Sequence, residues 1–175
     1  MRLATLRVFL ALLALSSGLA HGWIWSKDEP LSITEKCRLR LESARADIAK
    51  NKPSAARGTI DEMLSDQFRR MMLAIETCYS GRWGQALEGL PDLVVLTAAS
   101  PYESSKADLY DNTLGVYLSN AFARTFRRQI NDNVDISIYN LYRELVRTTP
   151  GSHVSLYNQN EYGSVYEESM NEFFK

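Results

Sequence analysis

Two short, unbroken apolar runs constrain this chain more than any other feature. They are Met71-Met72-Leu73-Ala74-Ile75 and Leu93-Val94-Val95-Leu96-Thr97. A strand with one wet face alternates apolar and polar residues, whereas one covered on both faces does not, so each run reads as a buried parallel strand. Arg69-Arg70 precedes the first run and Cys78-Tyr79-Ser80-Gly81 follows it. Pro91-Asp92 opens the second and Ser100-Pro101-Tyr102 breaks it. With helical patterns between and around them, the runs predict an α/β fold, a mostly parallel sheet flanked by helices. Ligands in such sheets bind beyond the carboxyl ends of the strands. Cys78 falls just past the first strand, and Ser104 and Ser105 fall on the loop past the second, so both loops are expected to open onto one edge.

The remaining pattern is mainly helical. Leu31, Cys37, Leu41, Ala44 and Ile48 recur at helical spacing across residues 31–50. Thr59-Ile60-Asp61-Glu62 reads as a helix start, with the helix running to about Phe68. Asn112 to about Ile130 reads as an amphipathic helix with Leu114, Leu118, Ala121, Phe122 and Phe126 on one face. Arg124, Arg127 and Arg128 are expected toward its end, where the helix dipole favours cations. Ser137 to Val146 predicts another helix, and His153 to Tyr157 alternates like a late strand. There is no internal repeat and no low-complexity segment.

Composition limits the function classes. The chain has 175 residues, 45% of them hydrophobic, which suits a single domain with a real core. The net charge is −1 and no basic stripe points to nucleic acid. The N-terminus has the pattern of an export signal: Arg2 and Arg7, an apolar stretch from Val8 to Leu15, then small residues to a cut after Ala20 or Gly22. That stretch is too short for a comfortable bilayer span. The chain is thus divided into a signal over residues 1–22 and one domain over 23–175, and a secreted or periplasmic location is expected. The alternative is that the same apolar run is a core strand of the domain. Cys37 and Cys78 are the two cysteines, and the bland expectation in an exported protein is one disulfide. With His21 and His153 as the only histidines, no metal site is expected, and no other cofactor is implied.

Cys78 is the residue with the clearest chemical potential. A cysteine peptidase needs a thiolate, a base to take its proton, and donors for the oxyanion. A strand-end cysteine followed by Ser80-Gly81 suits attack, with Gly81 expected to let a substrate backbone come close. The segment Arg70-Met71-Met72-Leu73-Ala74-Ile75-Glu76-Thr77-Cys78-Tyr79-Ser80-Gly81 resembles the legumain strand ending in Glu-Ala-Cys-Glu-Ser-Gly. Thr97-Ala98-Ala99-Ser100-Pro101-Tyr102-Glu103-Ser104-Ser105 resembles the legumain run Thr-Ala-Ala-Asn-Pro-x-Glu-Ser-Ser, at matching distance from the cysteine. The resemblance covers residues 69–125 well and the rest more loosely. It implies a caspase-like fold with Cys78 as nucleophile and its amide as an oxyanion donor. It also implies substrate contacts from Glu76, Tyr79, Ser104 and Ser105 around the primary specificity pocket. A second reading of Glu76 is a strand-end carboxylate paired with Arg69 or Arg70.

The chain departs from that family in three places. Tyr79 stands where legumain has a glutamate, and Val116 takes the place of the aspartate in a Leu-Gly-Asp run, here Leu114-Gly115-Val116. A pocket without those acids need not select asparagine. The His-Gly pair that relatives carry before the cysteine matches only His21-Gly22, which makes His21 the candidate base and the Gly22 amide the second oxyanion donor. In this reading Val8 to Leu19 is the strand leading into His21, and Trp23 to Ser32 is the loop and helix start that follow. His153 is the competing base. The strands and pocket arginine that precede the His-Gly pair in relatives are absent, so the chain is expected to lack the first strands of the fold. It then reads as a fragment, a gene remnant, or a reduced member whose sheet edge a partner chain completes.

The leading expectation is a cysteine endopeptidase acting on peptides or proteins through a Cys78–His21 dyad. Transamidation is a related reading, since GPI-anchor transamidase subunits belong to the same family. The rival from another class is a caspase-like pseudoenzyme that binds peptides or partners without turnover. The blandest reading is a truncated frame with no function of its own.

Overall fold

In the computed structural model, the described residues are 9–12, 21–26, 43, 46, 47, 50, 52–66 and 70–174. Both apolar runs are central strands: β3 (Met71–Glu76) and β4 (Leu93–Thr97), parallel and buried at every position. The outer strands are β1 (Phe9–Leu12), β2 (His21–Ser26) and, near the C-terminus, β7 (Ser155–Tyr157). They complete a sheet in the order β1-β2-β3-β4-β7. The pairings β1–β2, β2–β3 and β4–β7 are antiparallel, so the sheet is mixed, with its parallel pair at the centre.

Strand geometry sends alternate residues to opposite faces, and the core divides accordingly. Met71, Leu73, Ile75, Leu93 and Val95 pack on one side against Ala56, Ile60 and Met63 of α1 (Pro53–Asp66) and Trp83 of α2 (Gly81–Ala86). Met72, Ala74, Val94 and Leu96 pack on the other side. Their partners there are Phe122 and Phe126 of α3 (Ala121–Asp132) and Ile138, Leu141 and Leu145 of α4 (Ile138–Thr148). Helices therefore flank both faces, as the unbroken apolar runs require. At the amino end of β3, Arg70 binds the buried Glu168 at 2.6 Å and lies 5.2 Å over the Tyr162 ring, tying the C-terminal segment to the sheet.

Several elements differ from expectation. Helix α1 begins at Pro53, six residues before Thr59, because proline suits the first helical turn, where its missing N–H is not needed. The helix expected over Asn112–Ile130 is instead a hairpin, β5 (Ala107–Asp111) and β6 (Val116–Asn120), followed by α3. Asp111 makes the turn: its side chain accepts from the Thr113 and Leu114 amides, and Gly115 adopts φ +68°. Leu114 and Leu118, expected to face the core, are 66% and 59% exposed. Arg124, Arg127 and Arg128 consequently lie in the first two-thirds of α3, and its last turn carries no basic residue. Helix α4 matches its expectation closely, with Ser137 as N-cap accepting from the Asn140 amide. The expected helix over residues 31–50 lies largely outside the described residues.

Candidate active site

The turn after β3 and the turn after β4 fit together residue by residue. Ser80 is fully buried; its hydroxyl accepts from the Ala99 amide at 2.9 Å and donates to the Ala99 carbonyl at 3.2 Å. The Tyr79 amide donates to the Glu103 carbonyl at 2.7 Å, and Arg82 Nε donates to the Pro101 carbonyl at 3.1 Å. Gly81 is buried against the second turn: a Cβ there would lie 2.5 Å from Pro101 N and Cδ. The expectation that Gly81 admits a substrate backbone is thus corrected. Its missing side chain admits Pro101.

Cys78 sits at the head of this assembly, partly exposed and with a free thiol. The expected disulfide to Cys37 is absent from this arrangement, and Cys37 itself lies outside the described residues. The Cys78 amide makes no hydrogen bond among the described residues, in contrast to the engaged amide of Tyr79. Tyr79 has φ +59°, the left-handed region that a bulky residue rarely adopts.

Glu76, two residues before Cys78, continues the alternation of Met72 and Ala74 onto the α3 face. It is only 2% exposed, and neither carboxylate oxygen has a hydrogen bond of normal geometry. Burial raises its pKa to about 7, against weaker opposing pulls from the Ser105 side chain and the Ala123 amide in the first turn of α3. The structure thus brings Glu76 and Ser105 together. The alternative pairing with Arg70 is overturned, because Arg70 is at the other end of the strand on Glu168; Arg69 lies outside the described residues. Ser104 is exposed on the same loop.

The register of β2 against β3 sets His21 opposite Glu76 and Gly22 opposite Ile75. His21 opens β2 instead of closing a strand that runs from Val8 to Leu19, and Trp23 to Ser26 are strand, not loop. What brings His21 to this edge is the antiparallel return from β1. His153 precedes β7 in a loop. Its Nδ1 lies 2.8 Å from Glu103 Oε2, and its amide donates to Glu103 Oε1 at 2.7 Å. Burial alone would raise the Glu103 pKa, but the amides of Ser100 and His153 and the His153 ring hold it down at about 2. Val116 sits at the start of β6 beside the hairpin turn, half exposed.

Sequence reasoning passed over Ser80 and Glu103, the residues that join the two turns. Their only sequence signal was membership of the two motifs. Among the described residues no group of three or more His, Cys, Asp or Glu could hold a metal. No described helix is long and apolar enough to cross a membrane.

No curated protein matches the chain significantly. The family model for peptidase C13 matches residues 49–172, a span that contains β3, β4, both turns and Cys78. The chain belongs to the peptidase C13 family.

Proposed function

We propose that the protein is a cysteine endopeptidase in which Cys78 is the nucleophile. One observation carries this reading: a free, partly exposed cysteine heads a rigidly interlocked turn at the carboxyl edge of the central parallel pair, within the span matched by the family. In this mechanism the Cys78 thiolate attacks the peptide carbonyl and His21 takes the thiol proton. The Cys78 amide, which makes no hydrogen bond among the described residues, receives the developing oxyanion; Gly22, the expected second donor, is paired within the sheet with Leu12 and Ile75. His21 then protonates the leaving amine, and water releases the acyl group from sulfur. The register of His21 opposite Glu76 supports this role by bringing the histidine to the same sheet edge. Glu76, Ser104 and Ser105 line the pocket for the side chain before the scissile bond, with Tyr79 at its rim. Tyr79 and Val116 replace two acids of the family pattern, so asparagine is not the expected preference. Export across a membrane is part of this reading, on the strength of the N-terminal pattern alone.

The test is labelling by a peptidyl electrophile. The wild-type chain should be labelled, Cys78→Ala should not, and His21→Ala should be labelled at least a hundredfold more slowly, on the order of a lost general base. Labelling that survives Cys78→Ala would sink the assignment. A folded wild type that resists labelling would instead point to a pseudoenzyme. The intact mass of the exported protein bears on the base directly: cleavage after Ala20 leaves His21 as the first residue, and cleavage after Gly22 removes it.

A further inference from the structure

The rim beside Cys78 carries a feature that the proposed chemistry does not use. Tyr79 holds a left-handed backbone, φ +59°, which a bulky residue rarely adopts. The bond from its amide to Glu103 and the buried Ser80 latch keep it there. Strain retained in this way is characteristic of ligand clamps. Tyr79 is 39% exposed, and the Arg82 guanidinium stacks on its ring at 5.0 Å from the centroid.

Arg82 is held at a second point by the Pro101 carbonyl, which engages Nε alone. Its two Nη groups have no hydrogen bond or ion pair among the described residues. A guanidinium fixed through its ring contact and Nε presents paired donors, the fork that matches a carboxylate. The charge around it agrees. Glu103 is the one carboxylate on the two turns, and it is engaged by the Ser100 amide, the His153 amide and the His153 ring. Lys106, on the loop that carries Ser104 and Ser105, is exposed and has no ion pair among the described residues. Among the described residues, no carboxylate of the two turns is paired with Arg82.

We infer that Tyr79 and Arg82 form a specificity subsite for an acidic side chain of the peptide substrate. The inference deepens the endopeptidase reading and rests on it for the word substrate, though the binding it describes does not require turnover. Where the family pattern has a glutamate after the nucleophile, this chain has an aromatic platform carrying a cation, which inverts the charge that the rim offers.

Binding separates this inference from the catalytic one. Short peptides with a single Glu, or its isostere Gln, moved through the positions flanking a fixed centre would be titrated against the Cys78→Ala protein. At one position Glu should bind about fivefold more tightly than Gln, the scale of a partly exposed charge pair, and the difference should shrink at high salt. Arg82→Gln should abolish the difference. Tyr79→Glu, which keeps Arg82 but gives it an internal carboxylate, should also erase it, and circular dichroism would verify that each variant folds. Equal binding of Glu and Gln peptides at every position overturns the subsite, as does a preference that persists in folded Arg82→Gln. Cleavage by the wild-type protein is read in parallel. A binding preference without cleavage upholds the subsite and counts against the endopeptidase reading; cleavage without a preference does the reverse.

Discussion

The turns around Cys78 and the hairpin β5–β6 come from neighbouring stretches of chain and are built on opposite terms. The turns bury Ser80, Gly81, Ala98 and Ala99 and join through the Ser80 hydroxyl, the Tyr79 amide and the Arg82 side chain. The hairpin buries almost nothing: Leu109, Tyr110, Leu114, Val116, Tyr117 and Leu118 are all about half exposed or more. Its side chains meet in the edge-on Tyr110–Tyr117 pair, and Asp108 at its base pairs with Arg124 of α3. The difference separates two uses of sequence. In the turns, residue identity is dictated by contacts with one other segment of the same chain. In the hairpin it is dictated by turn chemistry alone, and the exposed apolar side chains are not required by the fold around them.

The sharpest way to break the comparison is Gly81→Ala. Its Cβ would meet Pro101 N and Cδ at 2.5 Å and the Ser100 carbonyl carbon at 2.8 Å, so backbone must move. A loss of about 3 kcal/mol is expected from overpacking of this kind, with labelling of Cys78 lost as the turn shifts. Gly115→Ala in the hairpin meets nothing closer than 4.0 Å, and its cost is only that of φ +68°, about 1 kcal/mol. Denaturant unfolding of the two variants side by side measures the contrast. Equal losses would mean that the turns are no more constrained than the hairpin.

Glu76 gives the next largest effect, and its sign is definite. Its folded pKa of about 7 lies above the usual 4.5, so the folded chain holds the proton more tightly than the unfolded one. Stability is therefore full below pH 4.5 and falls as pH rises toward 7, by up to about 3 kcal/mol. Glu76→Gln should flatten that slope and make the protein relatively more stable at neutral pH. Thermal melts from pH 4 to 8 test this, and parallel curves for the two proteins would remove the argument.

Ser80→Ala is smaller. It takes two hydrogen bonds from the turn and leaves the buried Ala99 amide without a partner, a loss of about 2 kcal/mol. Amide exchange at Ala99 should accelerate in the variant while exchange in β5 and β6 stays as it was. Protection at Ala99 that is unchanged would show that the hydroxyl is not what joins the turns.

The same contrast explains what could be read from the sequence. Strands β3 and β4 were legible because a strand covered on both faces must be apolar throughout, and polar or turn-forming residues bound each of these short runs. Ser137 was legible as a helix boundary because an N-cap is a local device. The hairpin was misread because Leu114, Leu118 and Phe122 recur every four residues as on a helix, and that period outweighed the turn signals of Asp111-Asn112-Thr113 and Gly115. Of the site, the position of Cys78 past a strand end was legible. The reason for Gly81 was not, because its neighbour Pro101 comes from the other turn and only folding brings them together. The burial of Glu76 was equally hidden: a carboxylate at a strand end normally reaches water, and here α3 closes over it.

The smallest predicted effect sharpens the hairpin side of the comparison. Leu118 is 59% exposed on β6 and belongs to neither buried cluster, so Leu118→Ser should change stability by no more than about 0.5 kcal/mol in the isolated chain. Leu96, in the centre of β4 and fully buried, should lose about 3 kcal/mol on truncation to Ala. Urea unfolding resolves the two by midpoint alone. A loss at Leu118 approaching that at Leu96 could not come from the fold described here. It would require the hairpin to be covered in solution, and the midpoint would then depend on protein concentration if a second copy were the cover.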